Sequence, residues 1–232
     1  MIPDLLYAFR TFRRAPAFAL TAIVTFALGI GATTAMFSTV NAALLRPFPY
    51  PHGEDLYAIS QRFTDGSLTS GLIAPIEFTA LNQTGSSVVR AAGVIRLETT
   101  LLRDDRAPML AEVYAASEGF FDIFGLPMTL GRSFAAADHV PQGPGFAVMS
   151  YRVWRDVYGS DPQIIGRQMR FSDVTLTVIG VAARDFDVPH ATDFWVNTRT
   201  DPQNLGHGYR SYLRVKPGIK PERLREIGRA HV

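Results

Sequence analysis

Four ionisable side chains late in the chain come closest to a catalytic or metal-binding pattern. Asp185, Asp187, His190 and Asp193 lie close together in the sequence. Carboxylate oxygens and an imidazole nitrogen can bind a divalent metal, and the same groups can activate water in a hydrolase. The segment also contains Pro189, which is typical of a loop, and loop acids and histidines are usually solvated. We therefore interpret the cluster as a solvated loop, with a metal site as the alternative.

The sequence contains none of the common catalytic motifs. It has no Gly-x-x-x-x-Gly-Lys-Ser/Thr phosphate loop, and Gly-x-Ser-x-Gly, His-Glu-x-x-His and Gly-x-Gly-x-x-Gly are also missing. The chain has no cysteine, which excludes disulfides, thiolate catalysis and cysteine-based zinc sites. A net charge of +2 without a Lys/Arg-rich tract does not indicate a nucleic-acid partner. The sequence thus predicts a non-enzymatic protein with no catalytic residues, cofactor or nucleic-acid partner.

An uncharged segment from Ala15 to Leu45 is the element around which the chain is organised. Arg14 and Arg46 bound it, and no acid or base lies between them. A helix needs about 20 apolar residues, each rising about 1.5 Å, to cross the hydrocarbon core of a membrane. Residues 17–40 supply them, and the remainder can extend the helix. The sequence therefore predicts a transmembrane helix over residues 17–45.

Two other interpretations of this segment are open. The apolar core of a cleaved signal peptide spans about 7–15 residues, which is shorter than this segment. Val40-Asn41-Ala42 nevertheless has the small-residue pattern of a cleavage site. A buried core helix is the second alternative, and the length and lack of charge disfavour it.

The residues before the apolar segment form a short basic head. Residues 2–15 have the spacing of an amphipathic helix with one apolar face, formed by Leu5, Phe9 and Phe12. This segment contains three arginines and a single acid, Asp4: the arginines are Arg10, Arg13 and Arg14. Because basic residues beside a membrane segment tend to stay in the cytoplasm, they predict a cytoplasmic N-terminus. Residues 1–16 are thus predicted to be a cytoplasmic amphipathic helix, and everything after Leu45 to lie outside.

Small residues mark one stripe of the predicted membrane helix. Ala27, Gly31 and Ala35 are spaced four apart, so they share a face. Small residues at this spacing allow the close approach of another membrane helix. We predict that these three residues pack against a helical partner in the membrane.

The segment from Arg46 to Pro51 ends the apolar helix. It reads Arg-Pro-Phe-Pro-Tyr-Pro, and three prolines in such a short stretch cannot continue a helix. Phe48 and Tyr50 would then lie at the outer membrane interface, where aromatic residues are enriched.

Residues 46–225 predict an α+β domain, because strands and helices are interspersed irregularly. Predicted strands cover 56–63, 88–95, 99–103, 109–115, 146–149, 168–171, 174–181, 194–197 and 212–215. Predicted helices cover 75–83, a short stretch capped by Ser117 that ends at Phe124, and residues 151–158 capped by Ser150. Three phenylalanines of the second helix fall on one side and predict a core stripe: Phe120, Phe121 and Phe124.

Several stretches together resemble a known family. The run from Phe26 to Pro51 reads Phe-Ala-Leu-Gly-Ile-Gly-Ala-Thr-Thr-Ala-Met-Phe-Ser-Thr-Val-Asn-Ala-Ala-Leu-Leu-Arg-Pro-Phe-Pro-Tyr-Pro. It resembles the first membrane helix and exit of MacB-type (FtsX-like) ABC transporter permeases, most closely their duplicated orphan branch. Further stretches resemble the periplasmic core domain of that family: residues 118–127, 130–134, 148–154, 165–167, 177–181 and 213–218. The similarity extends in order from about residue 4 to residue 225.

The resemblance implies a fold, a location and partners. It implies an inner-membrane permease subunit with a periplasmic α+β core domain, followed by further membrane helices. The implied partners are membrane lipid, the remaining permease helices or a second permease copy, and an ABC ATPase subunit, although the orphan branch often lacks an obvious ATPase neighbour. In the best-understood members ATP energy moves the periplasmic domain mechanically. No catalytic residue carries over from the family.

The end of the chain departs from the family pattern. Residues 226–232 read Glu-Ile-Gly-Arg-Ala-His-Val, which matches the translation of a common sequencing adapter. We therefore expect residues 226–232 to be read-through, and the chain to be an N-terminal fragment that lacks the later helices.

Three functions follow from these observations. The favoured function is a non-catalytic transport or mechanotransmission component of an ABC-type permease. One alternative is a single-pass, membrane-anchored binding or sensor protein. The other is an anchored extracytoplasmic hydrolase that uses Asp185, Asp187 and His190.

Overall fold

The computed structural model of the protein describes residues 16–40, 50–59, 72–74, 80–83, 88–103, 106–172, 174–199 and 208–219. The chain divides into two compact units, Met1–Pro47 and Phe48–Val232. The predicted basic head with Arg10, Arg13 and Arg14 lies outside the described residues, as do residues 226–232.

The first unit contributes one long helix, α1 (Pro16–Val40). Its 25 residues correspond to a length of about 37 Å, which exceeds the hydrocarbon thickness of a membrane. Large apolar side chains are exposed along it, among them Phe18, Phe26 and Met36. Within the described part of the chain, α1 is the one helix long and apolar enough to cross a membrane, and the prediction of an N-terminal apolar helix is confirmed.

Three threonine side chains of α1 are satisfied within the helix. The hydroxyl of Thr25 donates to the carbonyl of Thr21 at 2.8 Å, and the hydroxyl of Thr33 donates to the carbonyl of Gly29 at 2.7 Å. Thr21 donates in the same way to Ala17 at 3.0 Å. Because hydrocarbon offers no hydrogen-bond partner, this internal pairing makes the threonines compatible with a membrane.

The second unit contains ten strands and two short α-helices in its described part. The strands are β1 (Leu56–Ala58), β2 (Leu72–Ile73), β3 (Val88–Arg103), β4 (Arg106–Ala116), β5 (Leu130–Gly131), β6 (Phe146–Met149), β7 (Gln168–Phe171), β8 (Thr175–Val181), β9 (Phe194–Asn197) and β10 (Tyr209–Val215). The helices are α2 (Phe120–Phe124) and α3 (Tyr151–Asp156). Residues 80–83 are also helical, and single 3-10 turns cover Gly53–Asp55, Ala136–His139 and Pro162–Ile164.

The strands form one sheet in the order β1-β10-β3-β4-β9-β6-β8-β5, and β2 pairs with β10. Strand β7 pairs with both β8 and the far end of β3, where Leu101 lies opposite Phe171. This second pairing closes a ring that runs β3-β4-β9-β6-β8-β7 and returns to β3. Part of the sheet is therefore a small barrel, and β1, β2 and β10 extend it along β3.

Side chains alternate between the interior of the barrel and a second core outside it. On β9, Phe194 and Val196 belong to the interior core and Trp195 to the outer one. On β6, Met149 lies inside and Val148 lies outside. This alternation is the two-residue period of a strand that is buried on both faces.

The predicted α+β class is confirmed, and two details of the prediction are wrong. Residues 88–103 form one continuous strand, not two, because β10 pairs with its first part and β4 pairs with residues 94–103. Ser117 does not cap α2: its hydroxyl accepts from the Gly93 amide at 2.9 Å, and Gly119, with a φ of 74°, precedes the helix instead. Ser150 does cap α3, since its hydroxyl accepts from the Val153 amide.

Candidate functional site

The polar cluster singled out in the sequence is divided by the fold. Asp187 and His190 are in contact on an exposed loop, and the second oxygen of Asp187 accepts from the Ala191 amide at 2.8 Å. Asp193 is buried elsewhere, where it accepts from the Arg152 guanidinium and from the Glu112 amide. Asp187 thus stabilises its own loop, and Asp193 stabilises the sheet. Their side chains do not converge as the ligands of one metal would.

A better candidate site lies where the chain enters the second unit. Tyr50 is 9% exposed, and its ring meets Phe124 edge-on with 5.2 Å between the ring centroids. The ring of Phe186 lies 5.9 Å away on another side, and the Tyr50 hydroxyl accepts from the Asp187 amide at 3.4 Å. The ring of Tyr50 is therefore part of the domain core, a packing that the sequence did not predict.

Arg214 ties the same entry segment to the sheet. Its guanidinium, carried by β10, donates to the carbonyls of Pro51 at 3.0 Å and His52 at 3.2 Å. Its Nε donates to the carbonyl of Ile123 at 2.6 Å, near the C-terminal end of α2. Carbonyls at the end of a helix have no partner within the helix, so a cation there satisfies them. One side chain thus joins three separate parts of the domain.

Strand β1 continues this attachment through the backbone. Leu56 lies opposite Arg214, and Ala58 lies opposite Tyr212, in an antiparallel pair with β10. The Ile59 amide then donates to the Ser211 carbonyl at 2.9 Å. We call Tyr50, Pro51, His52, Phe124 and Arg214 the anchor, because together with β1 they fix the entry segment to the domain.

The anchor rests on a large aromatic cluster. The rings of Phe124 and Phe186 are 5.1 Å apart, and those of Phe186 and Trp195 are also 5.1 Å apart. All three phenylalanines of α2 are buried, as predicted: Phe120, Phe121 and Phe124. Edge-to-face aromatic pairs contribute about 0.5–1.5 kcal/mol each beyond their buried area, so the cluster is a rigid support.

The hydroxyl group of Tyr50 in the anchor remains uncharged over the physiological pH range. Burial raises the pKa of the Tyr50 hydroxyl, and the nearby carboxylates of Asp187 and Asp185 raise it further. Burial also raises the pKa of Tyr212, whose ring contacts Phe124. Both hydroxyls therefore stay protonated, and the aromatic packing does not depend on pH near neutrality.

A buried histidine lies elsewhere on the domain, in a loop held by an ion pair. Asp138 is largely buried and accepts from the Arg132 guanidinium, which lowers the pKa of Asp138. The neighbouring His139 places Nδ1 3.1 Å from both the carbonyl oxygen and the hydroxyl oxygen of Thr198. Its Nε2 is buried without a hydrogen-bond partner among the described residues. The imidazole is thus held neutral.

We expect His139 to make the domain less stable in mild acid. Burial lowers the pKa of His139, although Glu118 and Asp138 oppose the effect. Between the unfolded pKa of about 6.5 and the lower folded pKa, the unfolded chain binds more protons, so stability falls as the pH falls through that interval. Urea unfolding followed by the fluorescence of Trp154 and Trp195 should show this loss in the wild type and a smaller one in His139→Gln. Equal pH dependence in both proteins would contradict the assignment.

A family model supports the interpretation of the fold. The model of the MacB-like periplasmic core domain matches residues 19–229, which is most of the chain. No curated protein sequence matches the chain significantly.

Solved structures share the fold at low sequence identity. A domain assigned to a permease protein from Porphyromonas gingivalis is 19% identical, with a TM-score of 0.59 over 79% of this chain and 87% of that one. The periplasmic region of MacB from Actinobacillus actinomycetemcomitans is 15% identical, with a TM-score of 0.55 over 74% of this chain and 78% of that one. The extracellular domain of the ABC-type transporter YknZ from Gram-positive bacteria is 12% identical, with a TM-score of 0.52 over 75% of this chain and 87% of that one.

The family model includes the described sheet domain and most of α1. The chain therefore belongs to the MacB-like periplasmic core domain family of ABC-type permeases.

Proposed function

We propose that the chain is part of an inner-membrane permease subunit in which the anchor transmits movement between a membrane helix and the extracytoplasmic domain. The observation that carries this proposal is Arg214, which holds the backbone of Pro51 and His52 against the end of α2. A domain on a flexible tether needs no such attachment. A domain that must move with its membrane segment does, because a loose linker would absorb the displacement.

The chemistry of the anchor suits a mechanical role. Hydrogen bonds from a charged donor contribute about 1.5–3 kcal/mol each when well made, and partial exposure of Arg214 places these at the lower end. Tyr50 adds a buried aromatic ring on the same segment. None of these groups is placed to perform catalysis, and the proposed role requires none.

The proposed orientation places the N-terminus in the cytoplasm. Arg10, Arg13 and Arg14 precede the apolar segment, and positive residues beside a membrane helix are retained inside. The sheet domain then lies in the periplasm or outside the cell. Membrane lipid would surround the exposed face of α1, whose apolar side chains extend along its full described length.

One stripe of α1 consists of small residues. A Cβ added at Gly31 would meet no atom within 4 Å. We propose that Ala27, Gly31 and Ala35 contact the remaining permease helices or a second permease copy, since small residues permit close backbone approach. An ABC ATPase subunit on the cytoplasmic side would supply the energy.

Replacing Gly31 with leucine tests this role of α1. In the complete subunit, Gly31→Leu should impair assembly in detergent and transport activity, because the side chain fills the contact, while membrane insertion stays normal. Ile23→Leu is the matched control and should have little effect, since it exchanges one large exposed side chain for another. Alkaline extraction measures insertion, and size-exclusion chromatography measures assembly. Normal assembly and activity of Gly31→Leu would favour the anchored binding or sensor protein.

A further inference from the structure

The loop between β5 and β6 contributes little to the hydrophobic core. Phe134 near its start is buried, and the next buried apolar residue is Ala147 in β6. Between them, in residues 135–145, only Asp138 is buried. Gln142 has a φ of 60°, a left-handed conformation that residues other than glycine disfavour. Segments with few buried apolar contacts can open at a low free-energy cost, so residues 135–145 can open while the sheet stays folded.

Polar side chains attach this loop to the end of β9. The side-chain amide nitrogen of Asn197 donates to the carbonyls of Asp138 and Pro144. Directly after the strand, both oxygens of Thr198 lie 3.1 Å from Nδ1 of His139. The imidazole of His139 is therefore one of the groups that keep the loop closed.

The other ring nitrogen of His139 has no place for a second proton. Among the described residues, Nε2 is the one buried side-chain nitrogen or oxygen without a hydrogen-bond partner. The ring of Phe134 meets the imidazole edge-on, with 5.8 Å between the ring centroids. A protonated imidazole carries a hydrogen on both nitrogens, so the hydrogen on Nε2 would be buried without an acceptor. Burial of an unpaired charged donor is costly, and the closed loop thus disfavours the protonated ring.

The charged groups around His139 reduce this cost only in part. They are two acids and three arginines: Glu118, Asp138, Arg90, Arg132 and Arg199. The carboxylates of Glu118 and Asp138 favour the protonated ring. Asp138 is already bonded to a guanidinium, and Glu118 lies 4.0 Å from another. Burial therefore outweighs the acids, and the pKa of His139 in the closed loop lies below its usual value.

We propose that His139 is an acid-sensitive latch: protonation of its imidazole releases residues 135–145 from the end of β9 while the sheet stays folded. In the open loop the ring is hydrated and has a pKa of about 6.5, so the open form binds the proton more readily. Its population therefore rises as the pH falls below about 6.5. Opening would uncover Phe134, whose ring lies 5.8 Å from that of Phe121 in the aromatic cluster beneath the anchor. The latch goes beyond the proposed permease function and does not depend on it.

Hydrogen exchange of the whole chain in detergent, measured by mass spectrometry at pH 7.5 and pH 5.0, tests the latch. After correction for the intrinsic effect of pH on exchange, the protection of residues 135–145 should fall by about 5- to 30-fold. The upper value applies to a closed ring that binds no proton. The amides of Asp138 and Gly143 report the opening, because they donate to carbonyls within the loop. At both pH values the loop should be at least tenfold less protected than β6 and β9, because it opens without them.

His139→Gln keeps a neutral polar side chain that does not titrate, so its loop protection should change less than twofold between the two pH values. His190→Ala is the matched control: it removes an exposed histidine and should keep the wild-type response. If His139→Gln does not fold, NMR of the wild type replaces it, and the assigned His139 ring should titrate with a midpoint below 6.5.

Four results would each overturn the latch. The first is a fall of less than fivefold in the protection of residues 135–145 in the wild type. The second is equal protection of the loop and of β6 and β9 at pH 5.0, which would mean that the loop opens only by global unfolding. The third is a response of twofold or more in His139→Gln, or a His139 midpoint at or above 6.5. The last is loss of the response in His190→Ala.

Discussion

Replacing Arg214 with methionine should release the entry segment from the domain without unfolding the barrel. Methionine keeps the length of the side chain but cannot donate to the carbonyls of Pro51, His52 and Ile123. Loss of these bonds should cost about 2–3 kcal/mol of local stability, since contributions within one side chain are not additive. Hydrogen exchange of the Asp55 and Ile59 amides should then accelerate by about 30- to 160-fold.

The control for this experiment is Arg170→Met. Arg170 is exposed on β7, and it makes no contact with the anchor. Mass spectrometry should find the exchange of residues 50–59 unchanged in Arg170→Met, and that of β6 and β9 unchanged in both variants. Slow exchange of residues 50–59 in Arg214→Met would mean that β1 alone fixes the segment and that the anchor is unnecessary.

Replacing Gly131 with alanine should strongly destabilise the sheet domain. Gly131 has a φ of 66° and lies opposite Gly180 in the pairing of β5 with β8. A Cβ at Gly131 would overlap the carbonyl oxygen of Ile179, and a Cβ at Gly180 would overlap that of Arg132. Left-handed strain of about 1–2 kcal/mol and steric displacement of about 1–3 kcal/mol together predict a loss of about 2–5 kcal/mol.

Gly166→Ala separates these two causes. Gly166 has a φ of 86°, but a Cβ there would meet no atom within 4 Å. It should lose only the strain component, about 1–2 kcal/mol. Denaturant titration monitored by tryptophan fluorescence compares the two variants directly. A loss in Gly131→Ala no larger than that in Gly166→Ala would show that β5 shifts freely and that the close glycine pair has no structural importance.

The sequence predicts best where local pattern decides the structure. The uncharged run predicts α1, and two of the predicted strands, 146–149 and 194–197, have the bounds of β6 and β9. The cap of Ser150 follows from its position before an apolar helix. The phenylalanines of α2 are buried because their spacing places them on one side of a helix.

Features that depend on distant partners could not be predicted. Tyr50 follows an apolar helix, which is typical of a membrane interface, yet Phe124 and Phe186 from much later in the chain enclose its ring. Arg214 donates hydrogen bonds to backbone carbonyls. Because every residue has a backbone carbonyl, the residue types do not indicate which ones Arg214 contacts. Closure of the barrel depends on a short contact between β3 and β7. Likewise, the sequence groups Asp193 with Asp187 and His190, whereas the fold pairs Asp193 with Arg152.

Cysteine labelling tests most directly the central claim that α1 carries the sheet domain outside the cytoplasm. The chain has no cysteine, so one introduced thiol is the only one present. Leu110 lies on β4 and is 80% exposed, which makes Leu110→Cys accessible without disturbing the core. Asp4→Cys, in the basic head, is the control for the opposite side of the membrane.

A membrane-impermeant maleimide should label Leu110→Cys in intact spheroplasts, and it should label Asp4→Cys only after lysis. This pattern would place the head in the cytoplasm and the sheet domain outside it, as proposed. If Leu110→Cys is protected in intact spheroplasts and reacts only after lysis, the domain is cytoplasmic, and the anchor cannot serve an extracytoplasmic permease domain.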